Sequence, residues 1–177
     1  MLDDTTHRPW SLPRRPWILR MQWHDLLFMH WPIPAAAIRD YIPPALAVDT
    51  FEGSAWLGVV PFRMADVAPR FVPAIPGLSA FAELNVRTYV TIEGKPGVWF
   101  FSLDAENPFA VEAARDIFHL NYYRAQMRCA RDDDAVEYQS IRRHRGAPPA
   151  TLTARYRPTG PADKSTPGSL EAFLTER

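Results

Sequence analysis

The sequence predicts a β-rich α+β domain with short strands and a few peripheral helices. Three observations favour this class: the chain of 177 residues holds 18 prolines, several segments alternate as strands do, and helical spacing is confined to short stretches. Proline lacks a backbone donor and shortens regular elements, so its abundance favours strands and turns over a helix bundle. The chain is long enough to bury one core without metal or disulfide support.

We expect a flexible, polar leader over residues 1–16 and a single domain over residues 17–177. Residues 17–32 predict one long extended stretch, and its poor alternation is typical of a strand covered on both faces or containing a bulge. Residues 34–44 predict a short helix, with Pro34 in its first turn.

The middle of the chain predicts a strand, a loop and a hairpin. Residues 54–64 form the strand, and Pro61 within it indicates an edge position or a bulge. Residues 65–78 contain three prolines and a glycine without periodicity, which predicts a long loop. Residues 81–90 and 98–105 alternate on either side of a glycine-containing turn, so they predict a β-hairpin.

The clearest helix begins behind Asn107, a good capping residue, with Pro108 at its first position. A second hairpin then turns at an Asp triplet, a further strand covers residues 150–158, and a last helix begins behind Ser169. The apolar stripe predicted for the first of these helices consists of Val111, Ala114, Ile117 and Phe118.

Composition argues against several functional classes. Twenty basic and twenty acidic side chains give no net charge, which disfavours nucleic acid as a partner. No apolar run approaches the roughly 20 residues that span a bilayer, and the N-terminus lacks a secretory signal pattern, so we expect neither a membrane protein nor an exported one. Cys129 is the single cysteine, so no intrachain disulfide can form and a cytoplasmic location fits best.

Metal and cofactor chemistry have no support in the residue pattern. His24 and His30 share strand parity, but no third ligand lies at a metal-like spacing, so no metal site is predicted. No glycine loop suited to phosphate binding is present, and no cofactor is predicted. Cys129 shares parity with apolar neighbours, which indicates a buried, inert thiol.

One predicted strand carries a row of polar side chains on a single face. Side chains alternate along a strand, so Glu83, Asn85, Arg87 and Tyr89 share one side. Such a face ordinarily meets water, with its charges spaced along the surface. If it lines an interior instead, Arg87 could hold an anionic substrate and Glu83 could pair with it or act as an acid or base.

Several stretches together resemble the DUF2071 family, a YqjF-like group of uncharacterised bacterial proteins. The resemblance covers about Arg15 to Arg177 and is carried by WHDLLFMHWPIP, AWLGVVPFRM, PGLSAFAELNVRTYV, GKPGVWFFSLDA and GSLEAFLTER. It implies an acetoacetate decarboxylase-like fold, an antiparallel β-barrel or cone around an interior cavity. It also favours the interior position for the polar strand face. Members of the family usually continue past the last of these segments, so the domain is expected to be incomplete at its C-terminus.

The resemblance also bears on chemistry. In acetoacetate decarboxylase, a lysine that follows a Gly-Arg-Glu helix motif forms a Schiff base with the ketone, and a second lysine beside it tunes its amine. Arg115 and Asp116 match the Arg-Glu pair of that motif, whereas Tyr122 and Tyr123 stand where the lysine pair would be. Tyrosine cannot form the iminium, so decarboxylation by that route is not expected.

Three functions remain open at the level of the sequence. The first is an enzyme for a small organic acid or ketone with different chemistry, in which Tyr122 and Arg115 join the polar strand face. The second is a binding protein that holds such a ligand without converting it, and the third is a structural or interaction protein. An incomplete barrel would expose strand edges, so a second copy of the chain is a further candidate partner.

Overall fold

The structure, a computed structural model, describes residues 14–177, and residues 1–13 of the predicted leader lie outside it. The described residues form nine strands and three α-helices. The strands are β1 (Leu19–His24), β2 (Met29–Ile33), β3 (Ala47–Val48), β4 (Ala55–Pro69), β5 (Phe81–Ile92), β6 (Lys95–Ala105), β7 (Tyr122–Asp132), β8 (Ala135–Arg142) and β9 (Thr151–Tyr156). The helices are α1 (Ala35–Ile38), α2 (Pro108–Phe118) and α3 (Leu170–Thr175), and a 3-10 turn (Arg39–Tyr41) follows α1.

The strands form one sheet in the order β1-β4-β5-β6-β7-β8-β9. β2 also pairs with β4, beside the part of β4 that β1 leaves uncovered, and β3 pairs with β5. Neighbours run antiparallel except β6 and β7, which are parallel and joined through α2, since a parallel pair needs a crossover connection. The β-rich α+β prediction is therefore confirmed. Over the described residues the sheet is open, which is compatible with a cone.

β5 is buried on both faces and lies at the centre of the core. One face belongs to a cluster in which Val60, Phe62 and Leu103 pack against α2. The opposite face is covered at one end by the inner side of β7–β9 and at the other by the region of α1. The predicted hairpin of β5 and β6 is confirmed, with a tight turn in which Glu93 and Gly94 both have positive φ.

The N-terminal part of the prediction needs two corrections. Residues 17–32 form two strands, β1 and β2, because the chain leaves the sheet between them and rejoins β4 further along. β4 is an inner strand, and its pairing with β5 has no bulge at Pro61, so the prediction of an edge position or a bulge was wrong. Neither β1 nor β2 pairs with β4 at Pro61, so no ladder bond from the Pro61 nitrogen is needed there. The Pro61 carbonyl instead accepts from the amide of Leu27, in the connection between β1 and β2.

The predicted loop at residues 65–78 begins too early. β4 continues to Pro69 and pairs with β1 through a bulge, where Asp66 has positive φ and its carboxylate accepts from Arg20 at 3.0 Å. The irregular segment therefore covers residues 70–80. The prolines misled the prediction because a strand tolerates proline at its end and where no ladder bond is required.

Helix α2 has the predicted bounds and cap but a narrower buried stripe. The Asn107 carboxamide accepts from the amides of Phe109 and Ala110, at 3.0 and 3.2 Å. Val111 is buried, whereas Ile117 and Phe118 are 68% and 46% exposed, so the prediction that they face the core was wrong. Helical spacing identifies one face but does not reveal how far the neighbouring strands extend beneath it. No helix in residues 14–177 is long and apolar enough to cross a bilayer.

Asp25 joins the two ends of the sheet. It has positive φ in the connection between β1 and β2, and its side chain is 3% exposed. Its carboxylate accepts from Arg63 of β4 at 3.3 Å and from Arg131 of β7 at 2.7 Å, and its carbonyl accepts from the Tyr156 hydroxyl of β9. One residue thus connects the β1–β4 edge to the β7–β9 edge.

Replacing Asp25 by asparagine should lower the free energy of unfolding by about 1–2 kcal/mol, because a neutral amide cannot serve two guanidinium groups. Asn retains a tolerance for positive φ, so the change isolates the charge. Urea unfolding monitored by tryptophan fluorescence measures the effect. Asp132→Asn, which breaks the exposed Asp132–Arg155 pair, is the control and should change stability by less than about 0.5 kcal/mol. Equal effects of the two changes would contradict this role for Asp25.

Candidate functional site

Glu83, Asn85, Arg87 and Tyr89, which we call the polar row, lie on the face of β5 that points towards α2 and α3. All of them are buried, with Glu83 2% and Arg87 6% exposed. The solvent-facing alternative for this face is therefore wrong. A bulge in β6 opposite Val86 and Arg87 shifts the register of the hairpin by one residue and sets Phe100 opposite Arg87.

Glu83 forms a buried pair with Tyr122 at the start of β7. The Tyr122 hydroxyl donates to Glu83 Oε2 at 2.9 Å. Burial raises the pKa of Glu83 to about 8, an effect that the bond from Tyr122 partly opposes. Burial and the Glu83 carboxyl both raise the pKa of Tyr122. At neutral pH both groups are mainly protonated, so this end of the row can donate as well as accept hydrogen bonds.

Arg87 and Tyr89 hold the other end of the row against α3. Arg87 Nη2 donates to the Tyr89 hydroxyl at 3.3 Å and to the Leu174 carbonyl at 3.2 Å, and the Tyr89 hydroxyl donates to the same carbonyl at 2.8 Å. The Arg87 guanidinium also lies 5.1 Å from the centroid of the Phe28 ring. Among residues 14–177, no carboxylate lies within ion-pair distance of Arg87.

His30 of β2 completes this end of the site. Its Nε2 lies 2.7 Å from the Tyr89 hydroxyl, and because that hydroxyl gives its proton to Leu174, the imidazole must donate. Burial, reinforced by the Arg87 charge, lowers the pKa of His30 to about 4, so the ring is neutral at neutral pH.

Gly58 of β4 makes the approach of His30 and Arg87 possible. It lies between them in the sheet, with His30 opposite it on β2 and Arg87 opposite it on β5. A Cβ at this position would lie 2.9 Å from His30 Nε2 and 3.2 Å from Arg87 Cγ. The missing side chain leaves the space that the imidazole and the arginine stem occupy.

Two buried polar atoms of the row have no hydrogen-bond partner: Asn85 Oδ1 and Arg87 Nε. Buried polar groups are nearly always paired, and each exception calls for an explanation, such as a role in ligand binding. Asn85 stands between Glu83 and Arg87, so these unpaired atoms lie in the interval between the two bonded ends of the row.

Arg115 lies outside the row. It is half-buried on α2, and its Nη1 donates to the backbone carbonyl of Tyr122 at 2.7 Å, so it contacts the backbone that carries the tyrosine. Tyr123 is turned away from Glu83. The guanidinium of Arg142 lies 4.4 Å from the centroid of its ring, and Arg142 itself pairs with the buried Asp104 at 2.7 Å.

Sequence reasoning missed His30 and the carbonyl of Leu174 as parts of the site. His30 enters the sequence-based prediction only as a metal ligand, although Phe28, which shares its strand parity, indicates burial beside a ring. The carbonyl of Leu174 carries no signal in the residue types. Within residues 14–177, no group of three or more His, Cys, Asp or Glu side chains is arranged to hold a metal ion.

Comparison with known proteins places the chain in a family. The pattern of DUF2071, described as an uncharacterized conserved protein, matches residues 20–177. The chain belongs to the DUF2071 family. The uncharacterized protein YqjF of Bacillus subtilis (strain 168) is 44% identical over 167 residues, which make up 94% of this chain and 68% of that protein.

Solved structures support the fold of this DUF2071 chain. The acetoacetate decarboxylase of Legionella pneumophila has a TM-score of 0.54 at 14% identity, with 74% of this chain and 50% of that one covered. A second neighbour is the enduracididine biosynthesis enzyme MppR, complexed with the condensation product of pyruvate and imidazole 4-carboxaldehyde. It has a TM-score of 0.54 at 12% identity, with 84% of this chain and 60% of that one covered. The chain therefore spans half to three fifths of these structures and has an acetoacetate decarboxylase-like fold.

Replacing Glu83 by glutamine should change how stability depends on pH. The pKa of Glu83 is raised from 4.5 to about 8 on folding, so its stabilising contribution is complete below pH 4.5 and is lost as the pH rises towards 8. Glutamine stays neutral throughout. As the pH rises between these values, the unfolding free energy of E83Q should therefore increase relative to that of the wild type, by at most about 1.4 kcal/mol per pH unit.

Chemical unfolding at pH values from 5 to 8 measures this difference between E83Q and the wild type. The matched control is Glu137→Gln, because Glu137 lies on the exposed face of β8 and should give a curve parallel to that of the wild type. If the E83Q curve also ran parallel to the wild type, Glu83 would not be a buried, neutral carboxyl group.

Proposed function

We propose that this DUF2071 protein binds a small organic acid, such as a keto acid, whose carboxylate pairs with Arg87. The observation that carries the proposal is the buried guanidinium, which has no acidic partner among residues 14–177. A buried charge without an ionic partner is costly, and folded proteins nearly always pair one. Glu83 does not serve as the partner, because burial keeps it mainly neutral at pH 7 and it lies about 13 Å along the strand.

The rest of the row supplies contacts for the remainder of the ligand. The unpaired Asn85 Oδ1 can accept from a hydroxyl or an enol, and Arg87 Nε together with a terminal nitrogen offers the parallel donors that suit a carboxylate. At the far end, Glu83 and Tyr122 are both proton-bearing at neutral pH, so they suit an oxygen of a ligand long enough to span the row, whereas an acid as small as pyruvate contacts Arg87 and Asn85.

The comparisons support the same ligand class. One structural neighbour is named for acetoacetate, and another is complexed with a product derived from pyruvate. Acetoacetate and pyruvate are both small carboxylates that carry a ketone. This likeness concerns fold alone, so the ligand class proposed for the DUF2071 chain rests mainly on its own Arg87.

Arg87→Gln should weaken binding of pyruvate or acetoacetate by about 10- to 100-fold, because a charge-assisted pair is replaced by neutral hydrogen bonds. Ligand-induced thermal shifts followed by calorimetric titration measure this effect. Acetone is the ligand without a carboxylate and should bind neither protein. Arg157→Gln, at an exposed arginine on the chain after β9, is the protein control and should bind as the wild type does.

Two results would oppose the proposal. One is equal affinity of R87Q and the wild type for each carboxylate. The other is a wild type whose thermal stability no small carboxylate raises, in which case the polar row would be a structural feature of the core. If a carboxylate does bind, analysis of that ligand after incubation with the protein shows whether it is converted, and this separates an enzyme from a binding protein.

Borohydride reduction in the presence of acetoacetate should give no covalent adduct. Tyr122 and Tyr123 occupy the segment that resembles the reactive lysine region, and the two lysines of the chain, Lys95 and Lys164, lie at exposed positions. Intact-mass measurement, with an acetoacetate decarboxylase treated in parallel, checks the outcome. A reduced adduct on either lysine would restore Schiff-base chemistry as a mechanism.

A further inference from the structure

The end of helix α3 occupies the donors of Arg87 and Tyr89 with a backbone oxygen. The Leu174 carbonyl accepts from Tyr89 at 2.8 Å and from Arg87 at 3.2 Å. These two donors, one of them charged, are suited to one oxygen of a carboxylate, which would form a stronger bond than a neutral carbonyl does.

Apolar groups surround that carbonyl. The Leu174 side chain is buried, and the centroid of the Phe173 ring lies 5.3 Å from that of Tyr89 and 5.5 Å from that of Phe51. The end of α3 therefore presents an oxygen acceptor together with a branched aliphatic and an aromatic side chain. A free acid with the same combination of groups would match the same surface.

Helix α3 is attached through few bonds. It has six residues and follows residues 157–169, which form neither helix nor strand. Besides the two bonds to Leu174 and the packing of Phe173, Arg177 holds it through an ion pair with Asp49 at 2.5 Å and lies 5.0 Å from the centroid of the Tyr89 ring, and the Ser165 hydroxyl donates to the Glu176 carboxylate at 3.3 Å. An open groove of about 490 Å³ lies between α3 and the turn of β5 and β6, so there is space beside the helix.

We propose that the end of α3 is an internal pseudo-ligand, and that the true ligand is a carboxylate with a branched aliphatic or aromatic side chain that displaces it. This inference rests on the proposed function, because both place a carboxylate on Arg87. It adds a preference for an apolar side chain, and it makes α3 the element that regulates access to the site.

Competition of this kind lowers the apparent affinity in a defined way. The ligand binds the fraction of molecules in which α3 has left Arg87, so its apparent dissociation constant is the intrinsic constant divided by that fraction. A change that loosens α3 without touching Arg87 or Tyr89 should therefore tighten binding. An ordinary surface change should have no such effect.

Asp49→Asn provides this change in the 177-residue chain, because it removes the ion pair with Arg177 and keeps the acceptor for the Thr50 amide. We expect D49N to bind 4-methyl-2-oxopentanoate about three- to tenfold more tightly than the wild type, in line with the strength of a partly buried ion pair. The matched control is Asp66→Asn, which removes a partly exposed ion pair with Arg20 elsewhere and should leave the affinity unchanged. Both are measured by calorimetric titration.

Ligand identity gives the second part of the test. With the wild type, 4-methyl-2-oxopentanoate and phenylpyruvate should bind at least tenfold more tightly than pyruvate, and 4-methylpentan-2-one, which lacks the carboxylate, should not bind. Hydrogen exchange gives a third readout without any substitution. The amides of Phe173 and Glu176, which are bonded within or at the end of α3, should exchange faster when ligand is bound.

The outcomes separate this inference from the function on which it rests. Arg87-dependent binding of pyruvate with equal affinity for the larger acids, unchanged affinity of D49N, or slower exchange in α3 on binding would overturn the inference and leave the proposed function standing. Absence of binding by every carboxylate, to the wild type and to D49N, would overturn both.

Discussion

The structure depends on a central strand that is buried on both faces while carrying polar side chains on one of them. β5 has neighbours on each edge and packed elements above and below, so Glu83 and Arg87 lose their water on folding. Each must then be satisfied by the protein or a ligand, or change its protonation state. Glu83 does so by keeping its proton and accepting from Tyr122, whereas the Arg87 guanidinium donates to the neutral oxygens of Tyr89 and Leu174.

Two clusters of charged side chains hold the elements around this strand. Asp25 connects β4 with β7 and β9. Arg142 of β8 donates to both carboxylate oxygens of Asp104 on β6, at 2.7 and 3.1 Å. The second pair spans the parallel junction of β6 and β7, where the backbone ladder is short. These side-chain bonds stabilise an arrangement that an open sheet does not enforce through backbone pairing alone.

Much of the fold could be predicted because strand parity and turn chemistry are local properties. The alternation in FAELNVRTYV placed Glu83 and Arg87 on one face, and Asn107 and Ser169 marked the starts of two helices correctly. Local pattern could not decide whether the polar face meets water, since that depends on distant elements packing over it. The resemblance to DUF2071 supplied the interior position, and the burial of the row agrees with it.

The remaining errors have a common physical origin. Pro61 suggested an edge position or a bulge and Pro69 suggested a loop, but the neighbouring strands decide whether a missing amide matters. The contact of the Leu174 carbonyl with Arg87 is equally invisible in the sequence, because every residue type has a carbonyl. Sequence reasoning therefore identified one side of the candidate site, on β5, and left out the element that faces it.

Gly58 gives the site an unusual sensitivity to very small changes. Its lack of a side chain is what lets an imidazole and a guanidinium stem share the space between three adjacent strands. A single methyl group there would push His30 away from Tyr89, and the tyrosine oxygen would keep Arg87 as its one remaining donor. A substitution that is harmless on most strand surfaces would thus alter the electrostatics of the core, without changing any charged residue.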